Sequence, residues 1–407
     1  MSRMQTRRDF LRLAAALGLA PLLEACARVE PLTPPPTAEP TALPELSPTT
    51  PRPAVEPTAQ PEPSPTPRPM VEPRPKPLPS ATATVTPHVP TVVSPLSSVT
   101  PTKEVLHKMS QVALIRTSDR TEGVRRALAL LGAEGPAGGK ALLKPNFNSA
   151  DPAPGSTHND ILRTLVSWLK EQGASSIVVA DRSGMGQTRR VMEQKGVFAL
   201  GQELGFEVQV LDELNAEEWE LIQPPGSHWR EGFPIVRLAR ETPYIVQTCC
   251  LKTHRYGGHF TLSLKNSVGL VAKVVPGRST NYMDELHSSP HQRLMIAEIN
   301  VAYTPDLIVL DGVEAFVRGG PDRGERVLAH VLLASRDRVA LDAVGVAVLR
   351  HFGTTPEVSR GTIFEQEQIA RAIELGLGAQ GPEAIEILTE DEEGQAFAEQ
   401  IWDILRA

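Results

Sequence analysis

The sequence predicts an α/β protein: a mostly parallel sheet flanked by helices, in two closely associated lobes, behind a disordered proline-rich tether. Three observations predict it. From residue 111 onward, short apolar runs alternate with amphipathic stretches of about ten to fifteen residues, the pattern of βαβ units. Polar residues recur at the ends of those apolar runs. Well over half of the 38 prolines fall between Pro31 and Pro101, which leaves a single compact region, 109–407.

The chain opens on residues 1–27, which carry a signal. Arg3, Arg7, Arg8 and Arg12 precede the apolar run Leu13–Leu23, which is shorter than the ~20 residues a membrane-spanning helix needs. Thr6–Arg12 reads TRRDFLR and resembles the twin-arginine export pattern, whose translocon accepts folded cargo. Leu23-Glu24-Ala25-Cys26 resembles a lipobox, with Cys26 as the lipidated residue, although Glu24 departs from the usual small or apolar residue. Ala25-Cys26-Ala27 also suits simple cleavage. Partners expected from this segment are the translocon and, through a lipid anchor, the membrane; the location is extracytoplasmic, membrane-anchored or cell-wall-associated.

Residues 28–108 are rich in Pro, Thr, Ser, Ala and Glu. Such a composition cannot bury enough apolar surface to fold, and it favours extended chain at ~3.1 Å per residue. The stretch is a spacer.

Within 109–407 the strands are read at Val112–Arg116, Lys140–Lys144, Ser176–Asp181, Glu207–Leu211, Tyr244–Cys250, Asp306–Leu310 and His330–Ser335. Helices are read at Arg120–Leu131, Ile161–Gln172, Gly196–Leu204, Val339–Phe352 and Glu365–Leu375. In the second of these, Leu162, Leu165, Val166 and Leu169 share one face. After Asp212 the alternation breaks, and an excursion carries Trp219, Trp229 and Gly232.

Composition excludes some functions. A net charge of −7 argues against a nucleic-acid binder, which needs a basic face. The aromatic content of 4% provides few stacking platforms for bases. Of the three cysteines, Cys26 belongs to the signal, and Cys249 with Cys250 sits in an apolar run as small buried residues. No spacing suits an iron–sulfur cluster or a zinc site.

Ligands of parallel sheets gather at the carboxyl ends of strands. That rule selects Lys144 and Asn146 after one strand, Asp181, Ser183 and Gly184 after another, and Lys252-Thr253-His254 after a third. Asp311 and Gly312, with Gly319-Gly320-Pro321 beyond, follow a fourth. Lys252 and His254 lead into Thr261, Ser263, Lys265, Asn266, Gly269, Lys273 and His287, cations set in small or apolar sequence. An apolar strand running into Lys-Thr-His is costly unless the head groups meet water, a carboxylate or a ligand.

These residues resemble the domain-of-unknown-function family 362. The marks are Lys144-Pro145-Asn146, Asp181 with Ser183-Gly184, Lys252-Thr253-His254, Leu264-Lys265-Asn266 with Gly269, Asp311 with Gly320-Pro321, and Asp342-Ala343. They span nearly all of residues 111–380. Some members hold ferredoxin-type clusters, which this chain lacks the cysteines to bind. A fainter likeness is to the nickel-pincer lactate racemases, in the order of His254, Lys265 and His287.

Two readings stand side by side. In the first, the protein binds an anionic small molecule, a metal or a phosphate-bearing cofactor, with isomerase-like acid–base chemistry. His254, Lys265 and Lys252 carry the chemistry, and Lys144, Asn146, Ser183, Gly184, Asn266 and Gly320 bind the cofactor. His254, Asp181 and Asp311 are candidate metal ligands, since histidine suits both proton transfer and metal binding. In the second, it is a non-enzymatic extracytoplasmic solute-binding lipoprotein.

Overall fold

A computed structural model describes residues 109–407. The expected signal, Cys26 and the expected tether lie outside the described residues. The strands, in chain order, are β1 Ser110–Arg116, β2 Lys140–Lys144, β3 Ser176–Asp181, β4 Glu207–Val210, β5 Trp219–Ile222, β6 Phe233–Val236, β7 Tyr244–His254, β8 His259–Thr261, β9 Leu307–Arg318, β10 Glu325–Ser335 and β11 Ile385–Leu388. One sheet runs in the order β11-β1-β10-β9-β7-β2-β3-β4, with β8 folded back on β7. From β9 through β7, β2 and β3 to β4 every pairing is parallel. The hairpin β9–β10 and the pair β1–β10 are antiparallel. The excursion after Asp212 forms a separate two-stranded sheet, β5–β6.

The parallel strands are nearly continuous apolar runs because helices cover both faces. Beneath one face lies the helix Arg338–His351, buried from Arg338 to Leu349 and apolar there except for Arg338 and Asp342, the pattern of a core helix. Asp337 caps it by accepting from Val339 N and Ala340 N. On the other face the helix Asn159–Glu171 buries Ile161, Leu162, Leu165, Val166 and Leu169 against Leu143, Val179 and Val246.

Two central strands run longer than their apolar cores. β7 continues through Lys252-Thr253-His254 because β8 turns back to pair with it, Lys252 opposite Thr261 and His254 opposite His259. β9 passes through Asp311 and on to Arg318, paired along its length with β10. Asp311 therefore stands inside a strand, not at its end. Unforeseen elements include the helices Thr188–Gln194, Tyr282–Ser288, Gln292–Ile299 and Glu392–Arg406, and the edge strand β11.

Candidate functional site

The carboxyl ends of β2, β3 and β7 open into one cavity of about 350 Å³. β2 brings Lys144, and its continuation brings Asn146 and Asn148. β3 brings Asp181 and Arg182, β7 brings Lys252 and His254, and the short turn Ser263–Asn266 brings Lys265 and Asn266.

One part of the wall is a closed polar network. Lys144 Nζ lies 2.8 Å from Asp181 Oδ1 and donates to Asn266 Oδ1 at 3.0 Å and to Pro145 O at 2.6 Å. Asp181 also accepts from Phe147 N at 2.6 Å and Arg182 N at 2.8 Å. Asn146 Nδ2 donates to the same Asn266 oxygen at 3.1 Å, while Asn146 Oδ1 accepts from Lys252 Nζ at 2.9 Å. Lys252 Nζ reaches Gly155 O as well. Burial pulls Lys144 below its ordinary range and pushes Asp181 above its own, and the contact between them opposes both shifts. Gly269 is required here: a Cβ on it would stand 2.2 Å from Asp181 Oδ1 and 2.8 Å from Lys144 Nζ.

The other part is unsatisfied. Lys265 is 8% exposed, and among the described residues no carboxylate pairs with it. Burial, with Lys252 and Arg182 nearby, lowers it from 10.5 to about 7. Across from it stands His254, whose Nδ1 is buried without a hydrogen-bond partner. A Cβ on Gly258 would lie 2.7 Å from Lys265 Cε and 2.9 Å from His254 Nδ1, so the two side chains are neighbours over a bare backbone. Burial first, then Lys265 and Lys252, hold His254 well below its ordinary range. It is therefore neutral near pH 7. Thr261 Oγ1 and Asn148 Nδ2, which line the same cavity, are also buried and unpartnered. His287 lies 2.7 Å from Met283 O through Nδ1, which leaves Nε2 as the lone-pair nitrogen.

Asp342 and Arg182 fix the backbone at and just after the turn that carries Lys265. Asp342 accepts from Ser263 N at 2.7 Å and Leu264 N at 2.9 Å, capping the turn from beneath. Arg182 spends its guanidinium on backbone, donating to Val271 O at 2.7 Å and Val268 O at 2.6 Å. Its charge stays near the cavity without a carboxylate contact.

Of the residues selected from sequence, Lys144, Asn146, Asp181, Gly184, Lys252, His254, Lys265 and Asn266 line this cavity. Ser183, Gly320 and Asp311 do not. Ser183 N is taken by Thr188 Oγ1, and Gly320 packs the β9–β10 turn so closely on β7 that a Cβ would sit 1.9 Å from Thr253 O. Asp311 pairs with Arg120 at 2.8 Å and accepts from Val313 N at 3.1 Å. The expected metal set of His254, Asp181 and Asp311 is not brought together, since Asp311 lies outside the cavity that the other two line. Asp181 and Asp311 have spent their oxygens on separate partners, and no group of three or more His, Cys, Asp or Glu among the described residues is placed to hold a metal. Cys249 and Cys250 are buried free thiols raised by burial, as their apolar context implied. Sequence reasoning missed Asn148, Arg182, Met185 and Tyr256. The Asn-Phe-Asn run after Lys144-Pro145, and an arginine directly after the strand-ending Asp181, were the available signals.

The family model described as "Domain of unknown function (DUF362)" matches residues 141–347, half of the chain. A thylakoid-associated protein of Synechocystis sp. is 26% identical over 255 residues, which cover 60% of this chain and 75% of that protein. The lactate racemase apoprotein of Thermoanaerobacterium thermosaccharolyticum aligns at 16% identity and a TM-score of 0.34, covering 59% of this chain and 57% of its own. That likeness is too loose to carry over chemistry.

Proposed function

The chain belongs to the DUF362 family, and on that footing we propose that the cavity binds a small organic anion and moves a proton on it. The observation that carries this reading is Lys265, a buried amine with no carboxylate partner, beside His254 with its orphaned Nδ1. A buried lysine shifted to about 7 in the free protein gains and loses its proton near neutral pH, which suits general acid–base work. Lys252 and Arg182 supply the positive field for negative charge that develops on the bound molecule. Neutral His254 holds one N–H and one lone pair, and orients the anion or passes the proton on.

The orphaned Asn148 Nδ2 and Thr261 Oγ1 add hydrogen-bonding capacity to the same walls. Each unpaired buried polar group costs about 1–3 kcal/mol, so a ligand that pairs them recovers that loss. Export by the twin-arginine route and anchoring at Cys26 belong to the same proposal. They rest on TRRDFLR and on Leu23–Cys26, and folding before export would let the cavity fill in the cytoplasm.

A second reading, binding without turnover, is favoured by the closed network of Lys144, Asp181, Asn266, Asn146 and Lys252. That network is satisfied before any ligand arrives. Calorimetric titration of the full chain with acetate and with inorganic phosphate tests the shared premise. Binding by the native chain, weakened at least about tenfold in Lys265→Met, supports it; equal binding by both overturns it. Deuterium uptake from solvent into the α-carbon of a bound carboxylate separates turnover from binding.

A further inference from the structure

The cavity is cationic at its floor and mixed at its mouth, where exposed Asn281, Asp284 and His287 stand on one side and two apolar side chains on another. Met185 and Tyr256 line it and are 38% and 49% exposed, two of only seven large hydrophobic side chains that are exposed among the described residues. Val268 and Met283 continue the apolar wall inward and are buried. The backbone of Met185 and the ring of Tyr256 are each held by a neighbour. Met185 N donates to Asn148 O at 2.8 Å, so the rim methionine is tied to the loop that supplies the orphaned amide. Tyr256 lies under the Arg255 guanidinium, 4.5 Å from ring centroid to Cζ, and its hydroxyl accepts from Arg255 Nη2 at 2.6 Å. Arg255 is itself anchored to Asp322 at 2.8 Å. The tyrosine ring meets the His254 imidazole edge-on at 5.7 Å.

On that side an apolar strip of Met283, Val268, Met185 and Tyr256 stands above a charged floor, and hydrocarbon laid along it would remove apolar surface from water. The two surfaces belong to one cavity, so one molecule covers both. Resting on the anion-binding reading above, we infer that the ligand is a free amphiphilic anion. Its head group, a carboxylate or phosphate, sits at Lys265 and His254, and its hydrocarbon part leaves past Met283 and between Met185 and Tyr256. The same chemistry offered by a bilayer is a different source, because a head group held in a membrane must be lifted out to reach a buried lysine.

The test is a chain-length series. Acetate, butyrate, hexanoate and octanoate, with the matching alkyl phosphates, are titrated by calorimetry into the full-length chain below their micelle concentrations. Affinity is expected to rise about three- to fourfold per methylene until the chain clears the rim, so that hexanoate exceeds acetate by at least about thirtyfold. Met185→Ser, an exposed change, flattens the slope of the series. Vesicles of dioleoylphosphatidic acid at equal acid concentration fail to displace octanoate. A flat series in which acetate binds as well as octanoate overturns the amphiphile and leaves the anion site standing. No binding by any member overturns both. Release of bound octanoate by those vesicles makes the ligand a membrane lipid and overturns the free amphiphile.

Discussion

Replacing Lys265 with methionine should make this protein more stable while removing its ligand. The side chain is buried, and its amine falls from 10.5 to about 7 because burial and the cations Lys252 and Arg182 oppose its charge. A shift of that size costs about 1.4 kcal/mol per pH unit of displacement, so native stability carries a penalty on the order of 4 kcal/mol at neutral pH. Methionine fills nearly the same volume, bears no charge and strands no hydrogen-bond partner. The gain should appear in chemical denaturation as a higher midpoint at unchanged slope, and in heating as a rise on the order of 10 °C.

The pH dependence fixes the sign. Below about pH 7 both folded and unfolded chains keep the proton on Lys265, and the penalty is complete. As pH rises from about 7 toward 10.5, the folded lysine is already neutral while the unfolded one gives up its proton, so the penalty fades. The advantage of Lys265→Met should therefore be largest below about pH 7, fall to roughly half by pH 9, and vanish near pH 10.5. A variant less stable than the native chain, or an advantage that does not change with pH, would refute the reasoning and make Lys265 a structural partner.

Two further outcomes follow from the same geometry. Asp181→Asn leaves Lys144 buried without its counter-charge, 2.8 Å from an amide where a carboxylate stood, and should cost about 3–5 kcal/mol in urea denaturation; a loss below about 1 kcal/mol would mean that Asn266 and Pro145 O satisfy the lysine alone. Replacing both Arg7 and Arg8 with lysine should hold the protein in the cytoplasm on fractionation, and normal export of that form would end the twin-arginine assignment.

Much of the fold was legible because it obeys simple periodicities. β2 and β3 begin and end where the apolar runs Lys140–Lys144 and Ser176–Asp181 do, since parallel strands buried on both faces have no polar interior residue to confuse the reading. The strand-end rule also collected Lys144, Asp181, Lys252 and His254 from distant parts of the chain onto one cavity. It failed at Asp311. Asp-Gly reads as a turn, yet β10 supplies an antiparallel partner that carries β9 on to Arg318. Arg120 then makes the aspartate affordable inside the sheet. That pairing joins residues 191 apart, which no local pattern announces. Met185 and Tyr256 were missed for the opposite reason. A methionine or tyrosine in a loop carries no chemical signature, and their interest lies only in being exposed beside buried lysines.

The central claim is that Lys265 is a buried amine waiting for an anion. It is tested most directly by following the side-chain Nζ and Cε resonances of Lys265 by heteronuclear NMR across pH, with and without saturating acetate. The account predicts a midpoint near 7 in the free protein, moving upward when the anion is bound, because the bound charge stabilises the ammonium form. A midpoint near 10.5 in the free protein, or one that the anion leaves unmoved, would contradict it.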